Sequence, residues 1–159
     1  MTSATTEPYP HALRLQAFDA EDLALISAHL QDATLRVGDL AFFKDKRRFA
    51  LVAARFDWPA HAQGRLERAA AALHFDAVRA VRHQGVAREK GEAMLALLAI
   101  LFEPQAGGPE GRVRLVFAGG AEIVLEVDCV EAQLSDLGAR WPVSSRPTHA
   151  LDEDAASGP

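Results

Sequence analysis

The sequence predicts an α+β fold, in which a mostly antiparallel bent sheet or small barrel carries an N-terminal helix and a C-terminal capping helix. Three observations predict it. The length of 159 residues suits one domain. Neighbouring segments alternate apolar and polar residues, as the strands of antiparallel hairpins do. The pattern does not follow the strand–helix–strand spacing of parallel sheets, which argues against a parallel sheet.

The first elements are a short strand and an amphipathic helix. Residues 1–11 are polar, contain two prolines and are predicted to be disordered. Residues 13–18 alternate in polarity and predict a strand. Asp19 is a suitable N-cap residue, and apolar side chains follow it at helical spacing. We therefore expect a helix over 20–31.

A first hairpin follows the helix. Residues 40–43 and 48–56 flank the polar stretch 44–47, which predicts two strands joined by a turn. The second of these segments is apolar on both faces, which is typical of a strand in the centre of a sheet. Pro59 is expected to end it.

Two segments in the middle of the chain are ambiguous. Residues 65–73 have helical propensity, whereas the following residues fit a helix or a strand, and we favour a strand over about 73–83. Residues 93–102 form the longest apolar run, and this run suits a buried helix or a buried strand. Because prolines and glycines close it tightly, we predict a strand there.

The second hairpin has the clearest pattern, with alternation along 113–117 and 122–129. A two-residue turn at Gly119–Gly120 would mix the two faces, because paired residues share a face. A three-residue loop over 118–120, with a glycine at positive φ, keeps the core face apolar. The register that follows pairs Leu115 with Ile123 and Val113 with Leu125, and it sets Arg112 opposite Glu126.

The C-terminal part returns to helical spacing. Val130, Leu134 and Leu137 fit one helix face, and Gly138 is a suitable C-cap, so we expect a helix over 129–138. Residues 142–159 are polar and end in an acidic stretch, which predicts an extended, partly disordered tail. One folded domain then covers 12–141. A pleckstrin-homology-like roll fits this order of elements as a fold analogy, which assigns no function.

The composition excludes several classes of protein. Hydrophobic residues make up 49% and charged residues 25%, as in ordinary globular domains. The longest apolar run is shorter than the roughly 20 residues of a membrane-spanning helix, so we predict no membrane contact. The single cysteine, Cys129, excludes an intrachain disulfide and fits a reducing compartment. Since the first residues also lack the pattern of a secretory signal, we predict a cytoplasmic protein.

No motif for catalysis, a cofactor or a metal emerges. Alternation puts Cys129 on the core face, which favours a structural role over a nucleophilic one. The six histidines lack the i,i+4 spacing of zinc ligands. The glycine pairs at 107–108 and 119–120 do not match a phosphate-binding loop and are typical of turns. We predict neither a cofactor nor a metal.

Charge is distributed unevenly along a chain whose net charge is -5. Residues 1–32 carry -4, residues 33–90 carry +6 and residues 91–159 carry -7. The basic segment includes a patch that adjoins aromatic residues, a combination that holds phosphates and stacks bases. The patch consists of Lys44, Lys46, Arg47 and Arg48.

Two other interpretations of this charge stay open. A solvated hairpin tip also explains the patch, and the pI of about 5.6 argues against nucleic acid as the partner. Self-association is the other interpretation, in which the basic segment of one copy meets the acidic end of another.

Some polar and aromatic residues have no evident packing role and form the candidate binding surface. They are Asp39, Arg55, Trp58, Trp141, Arg146 and His149. Trp141 follows the last predicted helix and is expected to anchor the tail. Asp39 at the hairpin entrance suits a turn, although an acid–histidine pair of Asp39 and His149 would suit an enzyme.

Short motifs in a fixed order resemble a family. They are DAEDL at 19–23, SAHLQ at 27–31, VGD at 37–39, Arg48-Phe49, Arg55-Phe56 with Trp58, FAGG at 117–120, DLG at 136–138, and Trp141 with RPTH at 146–149. Together they cover residues 13 to about 149. In this order they resemble a bacterial family of uncharacterised proteins, the domain of unknown function 2948 type. The resemblance implies no established activity and no catalytic residue.

These observations predict a non-enzymatic cytoplasmic binding or interaction module. Its partner would be another protein or a second copy of itself, as in a homodimer. Two alternatives stay open. One is nucleic-acid binding through 33–90, and the other is a small-molecule enzyme that uses Asp39 and His149.

Overall fold

A computed structural model describes residues 12–105 and 107–147. Strands dominate this part of the chain, and two α-helices interrupt them. The elements are β1 (Arg14–Ala17), α1 (Ala20–His29), β2 (Thr34–Arg36), β3 (Leu40–Phe43), β4 (Arg48–Phe56), α2 (Trp58–Ala62), β5 (Glu67–Phe75), β6 (Val78–Gln84), β7 (Met94–Pro104), β8 (Gly111–Phe117), β9 (Glu122–Val127) and β10 (Ala132–Pro142).

All ten strands belong to one sheet, and the paired strands are antiparallel. The strand order is β1–β10–β5–β4–β2–β7–β8–β9–β6, and β3 also pairs with β4. The C-terminal strand β10 therefore returns to lie between β1 and β5. Because β1 and β6 stand at the two ends of this order, the sheet is open.

The predicted fold class is wrong. An open ten-stranded sheet takes the place of the bent sheet or small barrel of a pleckstrin-homology-like roll. The C-terminal capping helix is absent from the described residues, because the segment predicted to form it is part of β10. The segment 20–31 contains α1, but this helix follows β1 and is not the N-terminal element of the fold.

The hydrophobic core lies on the face of the sheet against which α1 packs. Leu23, Ile26 and Leu30 are buried there, and each contributes about 1.5–3 kcal/mol by leaving water. Asp19 caps the helix, because its carboxylate accepts a hydrogen bond from the N–H of Asp22 at 2.8 Å. The strands supply the rest of the core, including Phe49, Leu51, Leu73, Phe75, Leu115, Phe117, Leu125 and Leu134.

The structure confirms both predicted hairpins. Strands β3 and β4 pair from Phe43 opposite Arg48 to Leu40 opposite Leu51. In the second hairpin, Leu115 lies opposite Ile123, Val113 opposite Leu125 and Arg112 opposite Glu126, as the three-residue loop requires. Gly119 in that loop has a φ of +84°, a conformation that favours glycine.

The ambiguous middle segments are strands. The helical propensity of 65–73 is misleading, because β5 occupies most of this segment and its alanines alternate between buried and half-buried positions. The strand predicted over about 73–83 is in fact two strands, β5 and β6, separated by a turn in which Ala77 has a φ of +58°. The strand predicted over 93–102 is confirmed as β7.

The helix predicted over 129–138 is wrong. Ala132 and Leu134 are buried in alternation along β10, whereas Leu137, assigned to the same helix face, is largely exposed. Gly138 has a φ of +105° and lies in a bulge of β10, where the register shifts between Asp136 and Arg140. The disorder predicted for 1–11 and most of the predicted tail, 148–159, lie outside the described residues.

Candidate functional site

A network of buried ions lies where β4, β5 and β10 run side by side. The side chain of Arg55 is only 1% exposed. Its Nε donates to Oδ1 of Asp136 at 2.8 Å, and its Nη2 donates to Oδ2 at 2.8 Å. This bidentate geometry makes strong charge-assisted hydrogen bonds. Arg55 therefore has a structural partner and does not contribute to an exposed surface.

Arg140 and Asp57 extend this network. Nη2 of Arg140 donates to Oδ2 of Asp57 and, at 3.0 Å, to Oε1 of Glu67. Oδ1 of Asp57 accepts from the N–H of Ala60 at 3.0 Å and so caps α2. Burial alone would raise the pKa of Asp57, but the hydrogen bonds from Ala60 and Arg140 and the charge of Arg55 outweigh it, so the pKa is lowered. Asp57 is thus held as a carboxylate.

The network has no surplus of positive charge. Its three carboxylates, those of Asp57, Glu67 and Asp136, outnumber its two guanidinium groups. Burial, and then the charge of Arg55, lower the pKa of His29, which favours the neutral form of this histidine. Carboxylates thus hold both guanidinium groups of the network.

The two tryptophans occupy different places. Trp58 packs edge-on against Phe56, with ring centroids 4.6 Å apart, and its Nε1 donates to the carbonyl of Gln31 at 3.1 Å. Trp141 lies on β10 opposite Arg68 and is 38% exposed. No ring contact joins the two tryptophans in the described part of the chain.

The two remaining candidates within the described ranges, Asp39 and Arg146, lie on other segments. Asp39 accepts a hydrogen bond from Nε of Arg36 at 3.3 Å, in a short 3-10 turn before β3. Arg146 is exposed beyond the end of β10. His149 lies outside the described residues, so the structure does not test its pairing with Asp39.

The basic patch divides into two parts. Lys44 and Lys46 lie exposed in the turn between β3 and β4. Arg47 instead forms an ion pair with Asp128, and Arg48 forms one with Asp76 at 2.7 Å, which raises the pKa of Arg48. The carboxylates therefore already neutralise half of the patch.

An apolar cleft of about 170 Å³ opens between β3 and β6. In the part of the chain that the structure describes, the backbone hydrogen bonds of β3 go to β4, and the ladder of β6 goes to β9. β3 and β6 are thus not paired with each other, and the cleft lies between them. The apolar side chains that line it are those of Leu40, Phe42, Phe49, Val81, Val86 and Ile123.

Two basic side chains stand at this cleft, His83 on β6 and Arg88 in the loop after it. Both are exposed, and no acidic side chain is among the lining residues. This site could not be predicted from the sequence, because no local pattern shows that β3 and β6 lie side by side. A hint in the sequence is the short apolar segment 40–43, which forms β3 and lines one side of the cleft.

Two other surfaces are open to solvent. On the outer face of β2, β4, β5 and β7, a shallow apolar groove of about 300 Å³ contains Val52 and Met94, which are 41% and 61% exposed. On the outer face of β6, β8 and β9, a polar groove of about 380 Å³ contains Arg82, Arg112 and Arg114. Glutamates pair with all three arginines.

The described residues contain no group of three or more His, Cys, Asp or Glu side chains arranged to hold a metal ion. Cys129 is half-buried, and burial raises the pKa of its thiol, which makes it a weak nucleophile at neutral pH. None of the described helices is long and apolar enough to cross a membrane.

Comparison with known proteins identifies the family of this chain. No curated protein and no solved structure matches it. The model of one family matches residues 13–149, which include all ten strands of the described sheet. The resemblance seen in the sequence motifs is thereby confirmed, and the chain belongs to the family described as "Protein of unknown function (DUF2948)".

Proposed function

We propose that this chain is a non-catalytic binding module whose site is the cleft between β3 and β6. The observation that carries the proposal is an apolar opening of about 170 Å³ between two strand edges. Such concave apolar sites with a few polar groups at the rim are the usual places for small ligands. Neither Trp58 nor Trp141 lines this cleft, so the proposed site differs from the surface predicted from the sequence.

The size of the cleft limits its ligand. An apolar cavity of roughly 150 Å³ in another protein holds a benzene molecule. The cleft offers about 170 Å³, so it accommodates one ring-sized apolar group and not a long chain. Phe42 and Phe49 supply aromatic surface against which such a group packs.

The non-catalytic part of the proposal rests on the available side chains. The raised pKa of the Cys129 thiol disfavours nucleophilic attack, and Asp57 and Asp136 hold buried arginines. The proposal also keeps the protein in the cytoplasm, which its single cysteine suits. It assigns no surface to self-association.

The two alternatives receive less support. For nucleic acid, the basic segment 33–90 offers few unpaired arginines, since Arg47, Arg48 and Arg55 all hold carboxylates. For an enzyme, Asp39 already accepts a hydrogen bond from Arg36.

The test uses benzyl alcohol as an apolar probe and amide chemical shifts as the measurement. We expect the probe to shift the amide signals of Phe42, Phe49 and Val81 in the wild-type protein. A Val86→Trp variant places an indole in the cleft and should abolish these shifts. Val52→Trp, an equal change on the outer face, should leave them unchanged. Shifts confined to the outer face, around Val52 and Met94, would overturn the proposal.

A further inference from the structure

We infer that the ligand of the cleft is a small apolar molecule that carries a carboxylate group. This inference rests on the proposed function, because it names the ligand class for the same cleft. The apolar lining favours a ring-sized group, and the basic side chains of His83 and Arg88 favour a ligand with a negative charge.

The charge of the rim is uniformly basic. His83 and Arg88 are the titratable side chains that line the cleft within the described ranges, 12–105 and 107–147. Without an acidic neighbour in the lining, an anionic group is attracted and a cationic one is repelled. A carboxylate also matches the planar fork of an arginine, which can hold both of its oxygens at once.

Arg88 is available for such a partner. Its side chain makes no ion pair or hydrogen bond with the other residues that the structure describes. By contrast, Arg79 and Arg82 on the adjoining strand pair with Asp128 and Glu126. Arg88 therefore differs from these arginines in having an unused charge beside an apolar opening.

The backbone around Arg88 is held in a turn. The N–H of Arg88 donates to the carbonyl of Val86 at 3.0 Å, and the N–H of Lys90 donates to the carbonyl of Ala87 at 2.9 Å. Val86 lines the apolar part of the cleft, two residues before Arg88. One turn thus presents an apolar contact and a cation together, which fits a ligand with a ring at one end and a carboxylate at the other.

A carboxylate of this kind belongs to a free small molecule or to the C-terminus of a peptide. The volume of the cleft, about 170 Å³, holds one ring-sized group and favours the free molecule. We commit to the small molecule, and a peptide enters the test as the competing ligand.

The experiment compares two probes of equal shape, phenylacetate and its uncharged amide, by titration of the full chain at pH 7.5. We expect phenylacetate to bind up to about fivefold more tightly, since a solvent-exposed ion pair contributes that much. Arg88→Ala should bring the two affinities together. Lys90→Ala, which removes a charge from the same loop outside the lining, should preserve the difference.

Each outcome separates the two proposals. If neither probe shifts the amide signals of Phe42 and Val81, the proposed function itself is wrong. Equal affinities for the two probes would be consistent with the proposed binding function. They would overturn the inference that the ligand carries a carboxylate. A preference for phenylacetate that survives Arg88→Ala would overturn the assignment of Arg88 as the partner of the carboxylate. Tighter binding of an acetylated tripeptide ending in phenylalanine would overturn the choice of a free small molecule.

Discussion

Arg55 and Asp136 form a buried, bidentate pair of opposite charges, and removal of either partner has a large expected cost. Asp136→Ala would leave the guanidinium of Arg55 buried without its bidentate partner. It would also leave the N–H of Leu13 without its acceptor. We expect a loss of about 3–5 kcal/mol in the free energy of unfolding, the usual cost of an unpaired buried charge. Urea unfolding of the purified variant measures it.

The matched control is an exposed aspartate. Asp128 pairs with Arg47 and Arg79, but all three side chains are more than 40% exposed. Asp128→Ala should therefore cost less than about 1 kcal/mol, because water screens exposed ion pairs. Equal losses for the two variants would show that the buried network contributes no more than a surface pair.

Arg55 also shows why the burial of a candidate residue could not be predicted from the sequence. An arginine in an apolar strand indicates a binding residue only if no acid reaches it. The partner of Arg55 lies 81 residues further along the chain, and no local pattern connects the two. Asp136 itself lies in the segment assigned to a helix, so the prediction placed it on the wrong element.

At the scale of the elements, the bulge in β10 positions the buried network. Asp136 lies opposite Ala71, and Arg140 lies opposite Ala69. Between these two pairs β10 contains more residues than β5, which makes the bulge. Gly138, with a φ of +105°, makes this detour. Both charged side chains thereby reach Arg55 and Asp57 from one strand.

Gly138→Ala tests this role of the bulge. A Cβ at Gly138 would meet no atom within 4 Å, so the cost comes from the backbone conformation alone. We expect a loss of about 1–3 kcal/mol in unfolding free energy. Gly91→Ala is the control, because its Cβ would make an ordinary 3.7 Å contact and its φ lies outside the left-handed region. If Gly138→Ala is as stable as this control, the positive φ at residue 138 does not require glycine.

Element prediction succeeded where local rules agree. In the second hairpin, the alternation and the glycines specify one register, and both are short-range signals. In β10 the spacing of Val130, Leu134 and Leu137 imitates a helix, because the bulge breaks the alternation that would reveal a strand. The cleft could not be predicted, because the gap between β3 and β6 depends on the strand order, which local sequence patterns do not specify.

At the scale of the whole molecule, the uneven charge of the chain is balanced within one copy. The basic segment 33–90 meets the acidic segment 91–159 in several ion pairs. They join Arg47 and Arg79 to Asp128, Arg82 to Glu126, and Arg55 to Asp136. The strand order brings segments that are distant in the sequence side by side. A second copy is therefore not needed to neutralise the +6 segment.

This balance predicts that the assembly state does not depend on ionic strength. We expect sedimentation equilibrium to give the same average mass between about 0.02 M and 0.5 M sodium chloride, over which the Debye length falls from roughly 20 Å to 4 Å. Ion pairs across a subunit interface would weaken over this range, whereas the internal Arg55–Asp136 pair is shielded from the salt by burial. A dimer at low salt that dissociates at high salt would contradict the internal balance and restore a charge-driven interface.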